Sequence, residues 1–379
     1  MPAARFPDVV IVGGGAIGLG IAWRLAQRGA TVSVIDRGPM AAEATYHATG
    51  VIQPLTDPEA PRPYLELCLA SHQLFPAFAR ELLDATGLDV EYGQTGVLRI
   101  SVDEAEAAAL ARHAAWLDTM RFPVERLDGR SLREREEAIS ARLSFALFEP
   151  GSRWLNTPMF AQALLRAAAG AGVVLLPDRG LAEVEREGGR IVAVRAGAER
   201  LPAGRFVIAA GTWSGEVARQ FGLSIPLVPV CGQLIALAGE LRAIRHTIYG
   251  QRAHLVPWRS GEVIVGSTLE YVGFNKAVTA AGIGGLLAGS IELVPRVGKW
   301  PVRRMWACLR PGTPDRLPIL GRAPGLENVF IATGHFRKGL LLTPITAEVM
   351  AEVILEKPPQ MDLHPFRPDR PSLVPSPAA

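Results

Sequence analysis

Cysteine is scarce in this 379-residue chain: Cys68, Cys231 and Cys308 lie far apart and are odd in number. That spacing excludes a disulfide framework and a Cys/His metal site, and predicts a reducing compartment and no bound metal. Lysine is nearly as rare, since Lys276, Lys299, Lys338 and Lys357 are the only ones among 40 cationic residues. The arginines are scattered among acids, as in Arg130, Arg133, Glu134, Arg135, Glu136 and Glu137, and the formal charge is only +3. No basic stripe interleaved with aromatics arises, so nucleic acid is excluded as a partner. Long apolar runs are also missing. The longest uncharged stretches, residues 9–23 and 277–291, are rich in glycine and shorter than the roughly 18 apolar residues of a membrane span. Asp8 leads directly into an apolar segment without a basic region or a cleavage site, so a cytoplasmic protein is expected. No Ser/His/Asp or Cys/His arrangement suggests a nucleophile.

Apolar residues and glycine are plentiful: 49% of the chain is hydrophobic and 39 residues are Gly, enough for two or three packed cores. Residues 9–12, 16–28 and 31–35 read as strand, helix and strand, with Gly29 stopping the helix and Asp36 closing the unit. Gly13, Gly15 and Gly18 form G-x-G-x-x-G at the first turn. Gly13 permits the turn, Gly15 lets backbone approach a diphosphate, Gly18 lets helix and sheet pack, and the helix N-terminus attracts the anion. Asp36 lies 18 positions after Gly18, placed to accept hydrogen bonds from both hydroxyls of a ribose, which argues against a 2′-phosphate. FAD and NAD share this fingerprint.

Further helices are predicted over 64–86, 103–121, 157–172, 279–293 and 343–355, the last begun by Pro344. Short branched segments at 173–176, 183–187, 190–195 and 206–209 belong with the nucleotide unit, while 90–102, 122–127, 229–237, 254–257 and 262–268 read as strands of another kind of section. The two kinds alternate. The expected fold is therefore α/β, α+β overall: a discontinuous Rossmann-like domain (1–52, 150–220 and 310–365) interleaved with an antiparallel-sheet substrate domain (53–149 and 221–309). A flexible tail is expected over 366–379, where prolines accumulate.

Two later segments favour FAD. Val207-Ile208-Ala209-Ala210-Gly211-Thr212-Trp213-Ser214 resembles the small-residue strand end of flavoproteins with two dinucleotide-binding domains, and residues 332–342 offer a glycine-flanked loop before a helix. To these are added Trp306-Ala307-Cys308-Leu309-Arg310-Pro311-Gly312-Thr313, Leu317-Pro318-Ile319-Leu320-Gly321 and Gly334-His335-Phe336-Arg337. Together with the fingerprint they resemble the D-amino-acid-oxidase superfamily, most of all the bacterial glycine oxidases, over about residues 8–370. The resemblance implies an FAD-dependent oxidoreductase acting on glycine or a similarly small amino acid or amine. Hydride would pass from the α-carbon to flavin N5, water would hydrolyse the imine, and O2 would reoxidise the flavin to give hydrogen peroxide.

The resemblance also implies a site. Arg310 binds the substrate carboxylate, for which an extended backbone before Pro311 and a guanidinium fork are suited, and Arg337 stands nearby. Flavin contacts are expected from Gly13, Gly15, Ala16, Ile17 and Gly18 in the turn, from Asp36 and Arg37 after the second strand, and from Ala44, Thr45, His47, Thr49 and Gly50 in the following loop. Leu181, Ala210, Gly211 and Trp213 join them, as do Gly334, His335, Phe336, Arg337, Lys338, Gly339, Leu340 and Leu341.

The sequence departs from the glycine-oxidase pattern at several points. In the pocket segment, which carries Tyr249 and Arg252, His254 stands where an aromatic hydroxyl is expected, as a hydrogen-bond donor or a group titrating near neutrality. Leu269 replaces a longer polarisable or basic side chain over the flavin. Residues 44–50 resemble the stretch of sarcosine and dimethylglycine dehydrogenases whose His is bonded to flavin, which makes His47 a candidate covalent site; Cys308 is a second. Hence the alternatives: a dehydrogenase passing electrons to another acceptor or, from the fingerprint alone, a NAD-linked reductase or a non-catalytic nucleotide-binding protein. Exposed sheet edges suggest a homo-oligomer.

Overall fold

Residues 6–93 and 95–373 are described by the computed structural model. The fingerprint section folds as strand Val9–Val12, helix Ala16–Gln27 and strand Val32–Ile35. These strands lie at the centre of a six-stranded sheet ordered Ile319–Arg322, Val329–Thr333, Arg205–Ile208, Val9–Val12, Val32–Ile35 and Val174–Leu176. All neighbours run parallel except the first pair. Both faces are buried, which explains an unbroken apolar run rather than alternation. Val9 and Ile11 pack beneath helices Ala16–Gln27, Arg62–Thr86, Thr157–Gly170 and Gly339–Ile354, while Val10 and Val12 pack against a three-stranded sheet spanning 181–202 and helix Ser214–Gln220.

The second large sheet has eight strands, ordered Val302–Gly312, Val228–Ala238, Glu262–Gly266, His254–Pro257, Thr247–Tyr249, Val97–Ile100, Phe145–Glu149 and Glu125–Asp128. Only Thr247–Tyr249 and Val97–Ile100 pair in parallel. Here residues alternate. Leu98, Ile248, Leu255, Val265 and Ile235 face a core closed by helix Ala280–Leu293, and their neighbours Arg99, Tyr249, His254, Gly266 and Leu234 present the other face.

Three expectations change. Val302–Gly312 is a single edge strand of the eight-stranded sheet, so the boundary expected at 310 falls inside it; exposed Arg303 and Arg304 conceal its alternation. The last helix begins at Gly339, with Pro344 inside it, because packing of its fully buried first turns overrides the proline's start signal. The tail expected to be flexible from 366 is docked as far as Leu373. Phe366 is buried, and Arg370 grips Asp315 at 2.6 and 2.9 Å while donating to the carbonyls of Leu317, Pro318 and Phe366. Residues 374–379 of that expected tail lie outside the described residues. Among the described residues no helix is long and apolar enough to cross a membrane.

Candidate active site

A cleft of about 600 Å3 is lined by residues of both large sheets, from Asp36, Leu181 and Trp213 to His254, Arg310 and Arg337. At its first end the walls are mostly backbone. A Cβ on Gly13 would lie 2.4 Å from the Ala209 carbonyl oxygen and one on Gly18 would lie 1.9 Å from that of Gly13, so both glycines answer to packing within the protein. Gly15 differs: its Cβ would meet only Thr45 Oγ1, at 3.5 Å, and otherwise enter the cleft. Gly15 also caps helix Ala16–Gln27 without a side-chain bond, leaving backbone N–H groups of a twelve-residue helix at the cleft, of which Ala16 donates to Thr45 Oγ1 at 2.9 Å. This open helix N-terminus suits a diphosphate. Asp36 Oδ2 accepts from Gly14 N at 2.8 Å and Oδ1 from Gly38 N at 3.0 Å, which fixes the carboxylate at the cleft wall with lone pairs to spare for a ribose. Arg37 lies 4.0 Å over the Trp213 ring, and Ala210 and Gly211 continue the same wall.

At the other end side chains dominate. Arg99, Tyr249, His254, Gly266 and Leu234 sit directly opposite one another across five adjacent strands, and thus on one face. Tyr249 and His254 stack in parallel at 4.7 Å. The aromatic hydroxyl absent at position 254 is thus brought to the cleft from the next strand. Arg310 projects from the edge strand across Gly232, where any Cβ would lie 2.1 Å from its Nη2. Its guanidinium donates to Ser267 Oγ (2.5 Å) and to the carbonyls of Thr268 (3.2 Å) and Cys231 (3.3 Å). It has no carboxylate partner among the described residues: Asp315 pairs with Arg370, and Glu327 with Arg190. Burial, with a smaller push from Arg337, holds Arg310 below the usual arginine range. Arg337, carried by Phe336–Lys338 after Phe336 at φ 46°, also lines the cleft without an ion-pair partner among the described residues.

His254 does not titrate near neutrality as expected. Burial first, then the charges of Arg337, Arg310 and Arg99, push its pKa down to about 3, so it is a neutral imidazole, 3.3 Å from Thr49 Oγ1. Lys338 is partly buried in the cleft wall, donates to the Gln53 carbonyl, and is lowered by burial to about 8. His335 lines the cleft, but its ring is turned to Thr346 Oγ1 at 3.1 Å and burial lowers it to about 3.

Ala16, Ile17, Ala44, Thr45, Thr49, Gly50, Leu181, Phe336, Gly339 and Leu340 also reach the cleft. Several expected residues do not. Gly18 lies beneath Gly13, Gly334 is tight against Thr313, and Leu341 belongs to the core. Arg252 is largely exposed and lies 3.9 Å from Glu292, because its position falls in the turn before the pocket strand rather than on that strand's inner face. Leu269 is 48% exposed, past the end of strand Glu262–Gly266; Ser267 faces the cleft instead. His47 ends a one-turn helix with its ring against Tyr46 and Trp306, and is absent from the cleft lining. Cys308 does line the cleft, and burial raises its thiol to about 11.

Sequence reasoning missed Arg99, Gln53, Tyr64 and Ser267, all of which line the cleft. Arg99 had a signal: a lone cation inside the apolar strand Val97–Ile100.

The family model described as FAD dependent oxidoreductase matches residues 8–353. Glycine oxidase of Geobacillus kaustophilus is 31% identical over 362 residues, covering 95% of this chain and 96% of that protein. Glycine oxidase of Pseudomonas putida is 30% identical, covering 96% and 98%. The crystal structure of the Geobacillus kaustophilus glycine oxidase superposes with a TM-score of 0.92 at 30% identity, over 96% of this chain and 98% of that one.

Proposed function

The chain belongs to the FAD dependent oxidoreductases, and from that premise we propose that it oxidises glycine, or a similarly small amino acid or secondary amine, to an imine that water hydrolyses to an oxo acid. Arg310 carries this reading: a largely buried guanidinium in the cleft, fixed by three protein acceptors and lacking any carboxylate among the described residues. A substrate carboxylate would complete it.

FAD fits the first end of the cleft. The N–H groups before helix Ala16–Gln27 would hold the diphosphate, Asp36 a ribose, and the loop from His335 to Leu340 would lie by the ring. When bound, the flavin would supply two-electron chemistry, as a hydride acceptor for the substrate α-carbon with O2 as the final oxidant and hydrogen peroxide as the product.

The protein's own residues orient and tune. Ser267 and the Cys231 and Thr268 carbonyls fix Arg310, so a carboxylate docked there holds the α-carbon in one place. Arg337 and Arg99 add positive charge around the neutral His254. A protonated amine is disfavoured in such surroundings, which promotes the neutral amine whose lone pair forms the imine bond as the C–H bond breaks. His254 offers a hydrogen bond without adding a charge.

The test is anaerobic addition of glycine, sarcosine and D-alanine to the flavin-loaded protein. Bleaching of the visible flavin band by at least one is expected, with stoichiometric peroxide on admitting oxygen. A yellow protein that none of these amines bleaches would overturn the reading. Bleaching followed by recovery only with a dye, and not with oxygen, would overturn the choice of acceptor.

A further inference from the structure

Arg310 provides for one carboxylate, and a second cation, Arg99, stands at the far end of the same row, held by a protein carboxylate at one nitrogen only. Arg99 lines the cleft one strand beyond Tyr249, with its guanidinium 5.0 Å above the Tyr249 ring. Its Nε donates to Glu149 Oε1 at 2.5 Å and Nη2 is sealed away from the cleft, so the nitrogen that can face the cleft is Nη1, which has no hydrogen-bond partner among the described residues. Glu149 is fully buried and divides its acceptors: its other oxygen takes bonds from Gln53 Nε2 and Ser152 Oγ. The carboxylate therefore anchors the Arg99 side chain at Nε and leaves Nη1 unengaged. An arginine serving only as an ion pair would present its fork to the carboxylate.

We propose that the amine oxidised in this cleft carries a second carboxylate, which docks on Arg99 while the first docks on Arg310. The inference rests on the amine-oxidising reading above and names its substrate class: an imino or amino dicarboxylate. The dimensions agree. Strands are spaced about 4.8 Å apart, so the three steps from Arg99 to Gly266, whose neighbour Ser267 holds the Arg310 head, come to roughly 14 Å. Two carboxylate carbons joined through a central amine are roughly 5 Å apart, and about 4 Å from each to the carbon of a paired guanidinium brings the span to roughly 13 Å. Charge agrees as well. Arg99, Arg310, Arg337 and Lys338 all line the cleft, and of the four only Arg99 has an ion-pair partner among the described residues, Glu149. Between the two guanidinium groups Tyr249 and His254 stack face to face, so that their ring edges border the space for the central methylene and amine groups.

The test compares paired ligands on the flavin-loaded enzyme. Iminodiacetate and D-aspartate are set against sarcosine and D-alanine as substrates. Thiodiglycolate is set against methylthioacetate as sulfur analogues lacking the amine, with binding read from the shift of the flavin absorbance. The dicarboxylate of each pair is expected to be favoured at least tenfold, in kcat/KM and in Kd. Arg99→Met should bring both ratios down to about one, and Arg99→Lys should retain part of the preference. Should Arg99→Met fail to fold because Glu149 is left buried and unpaired, the double variant Arg99→Met/Glu149→Gln removes both charges and the wild-type ratios stand unaided. Equal treatment of mono- and dicarboxylates by the wild type, or a uniform loss for both in the variants, overturns the proposal. Failure of every amine to bleach the flavin strikes the parent reading instead, and in that case the thiodiglycolate preference still decides the fate of Arg99.

Discussion

The two ends of the cleft are built by different means. At the end proposed for the nucleotide the cleft is lined by backbone N–H donors, a carboxylate fixed by Gly14 and Gly38, and glycines that clear space, all within residues 13–50 and at the strand ends near 210. At the end proposed for the substrate it is lined by charged and aromatic side chains from positions 99, 249, 254, 310 and 337, which meet only because of strand register. A backbone site recognises what every dinucleotide shares. A side-chain row can be rewritten one residue at a time, and specificity belongs there.

The largest expected effect separates the ends outright. Arg310→Met should lower kcat/KM by roughly 10³, about 4 kcal/mol, because the substrate carboxylate loses its bidentate partner in a desolvated site. Arg310→Lys should recover little, since an ammonium cannot present the same fork. Flavin content should be unchanged in both, as measured by the ratio of visible to ultraviolet absorbance. Loss of flavin together with activity would break the comparison, for it would make Arg310 part of the cofactor's hold.

Next comes a contrast inside the fingerprint. Gly15→Val puts a side chain into the cleft, where the protein itself has only Thr45 Oγ1 in reach. Flavin occupancy should fall at least tenfold while apoprotein stability stays within about 0.5 kcal/mol. Gly18→Ala meets the Gly13 carbonyl at 1.9 Å and must displace backbone, so it should destabilise the apoprotein by about 3 kcal/mol. Denaturant titration and flavin content measured on both variants check the pair; matching stability losses would show that Gly15 too is a packing residue.

The difference between the ends also governs what could be read from the sequence. Strand, turn, helix and acid lie within 36 residues, so local spacing was enough to predict the strand–helix–strand unit that lines this end of the cleft. Arg310 and Arg337 were reached through segments resembling a family, while Arg99 was not reached at all. Its meeting with Tyr249 depends on parallel pairing between strands some 150 positions apart, which no local pattern encodes. Arg252 and Leu269 do not reach the cleft because both lie two or three residues beyond a strand end, where alternation no longer assigns faces. The docked tail was misread from its prolines, whereas Arg370 and its six acceptor contacts are a property of the tertiary structure.

Acid should expose a smaller asymmetry. His254 and His335 are held near 3 and His113 near 4, chiefly by burial and, for His254 and His113, also by neighbouring arginines. Each binds its proton in the unfolded chain from about pH 6.5 downward, but in the folded protein only near 3 to 4. Their contribution to stability is therefore complete above about pH 6.5 and is lost as pH falls through that window. Two of the three lie at the substrate end. Denaturation midpoints measured from pH 7 to 5 should decline, and less steeply in His335→Gln. Hydrogen exchange at pH 5 should open strand His254–Pro257 before Val9–Val12. The same depressed pKa removes His254 from the pH profile of kcat/KM between 5 and 9; a limb near 6.5 that vanished in His254→Gln would contradict a neutral imidazole.

The smallest expected effect is a null result at the boundary between the ends. Cys308 lies on the cleft wall, where a thiolate could bond the flavin, but burial raises its thiol to about 11, and only the thiolate is nucleophilic. His47, the other nucleophile considered, has its ring against Tyr46 and Trp306 and is not part of the cleft lining. The cofactor should then be held by the backbone site alone, without a covalent tie to the substrate end. Acid precipitation should leave the yellow colour in the supernatant for wild type, Cys308→Ser and His47→Ala alike, with equal flavin content before precipitation. Colour in the wild-type pellet that disappears in Cys308→Ser would mean that the substrate end both reads the amine and fastens the cofactor. The division between a backbone end that holds and a side-chain end that selects would then fail at that one sulfur.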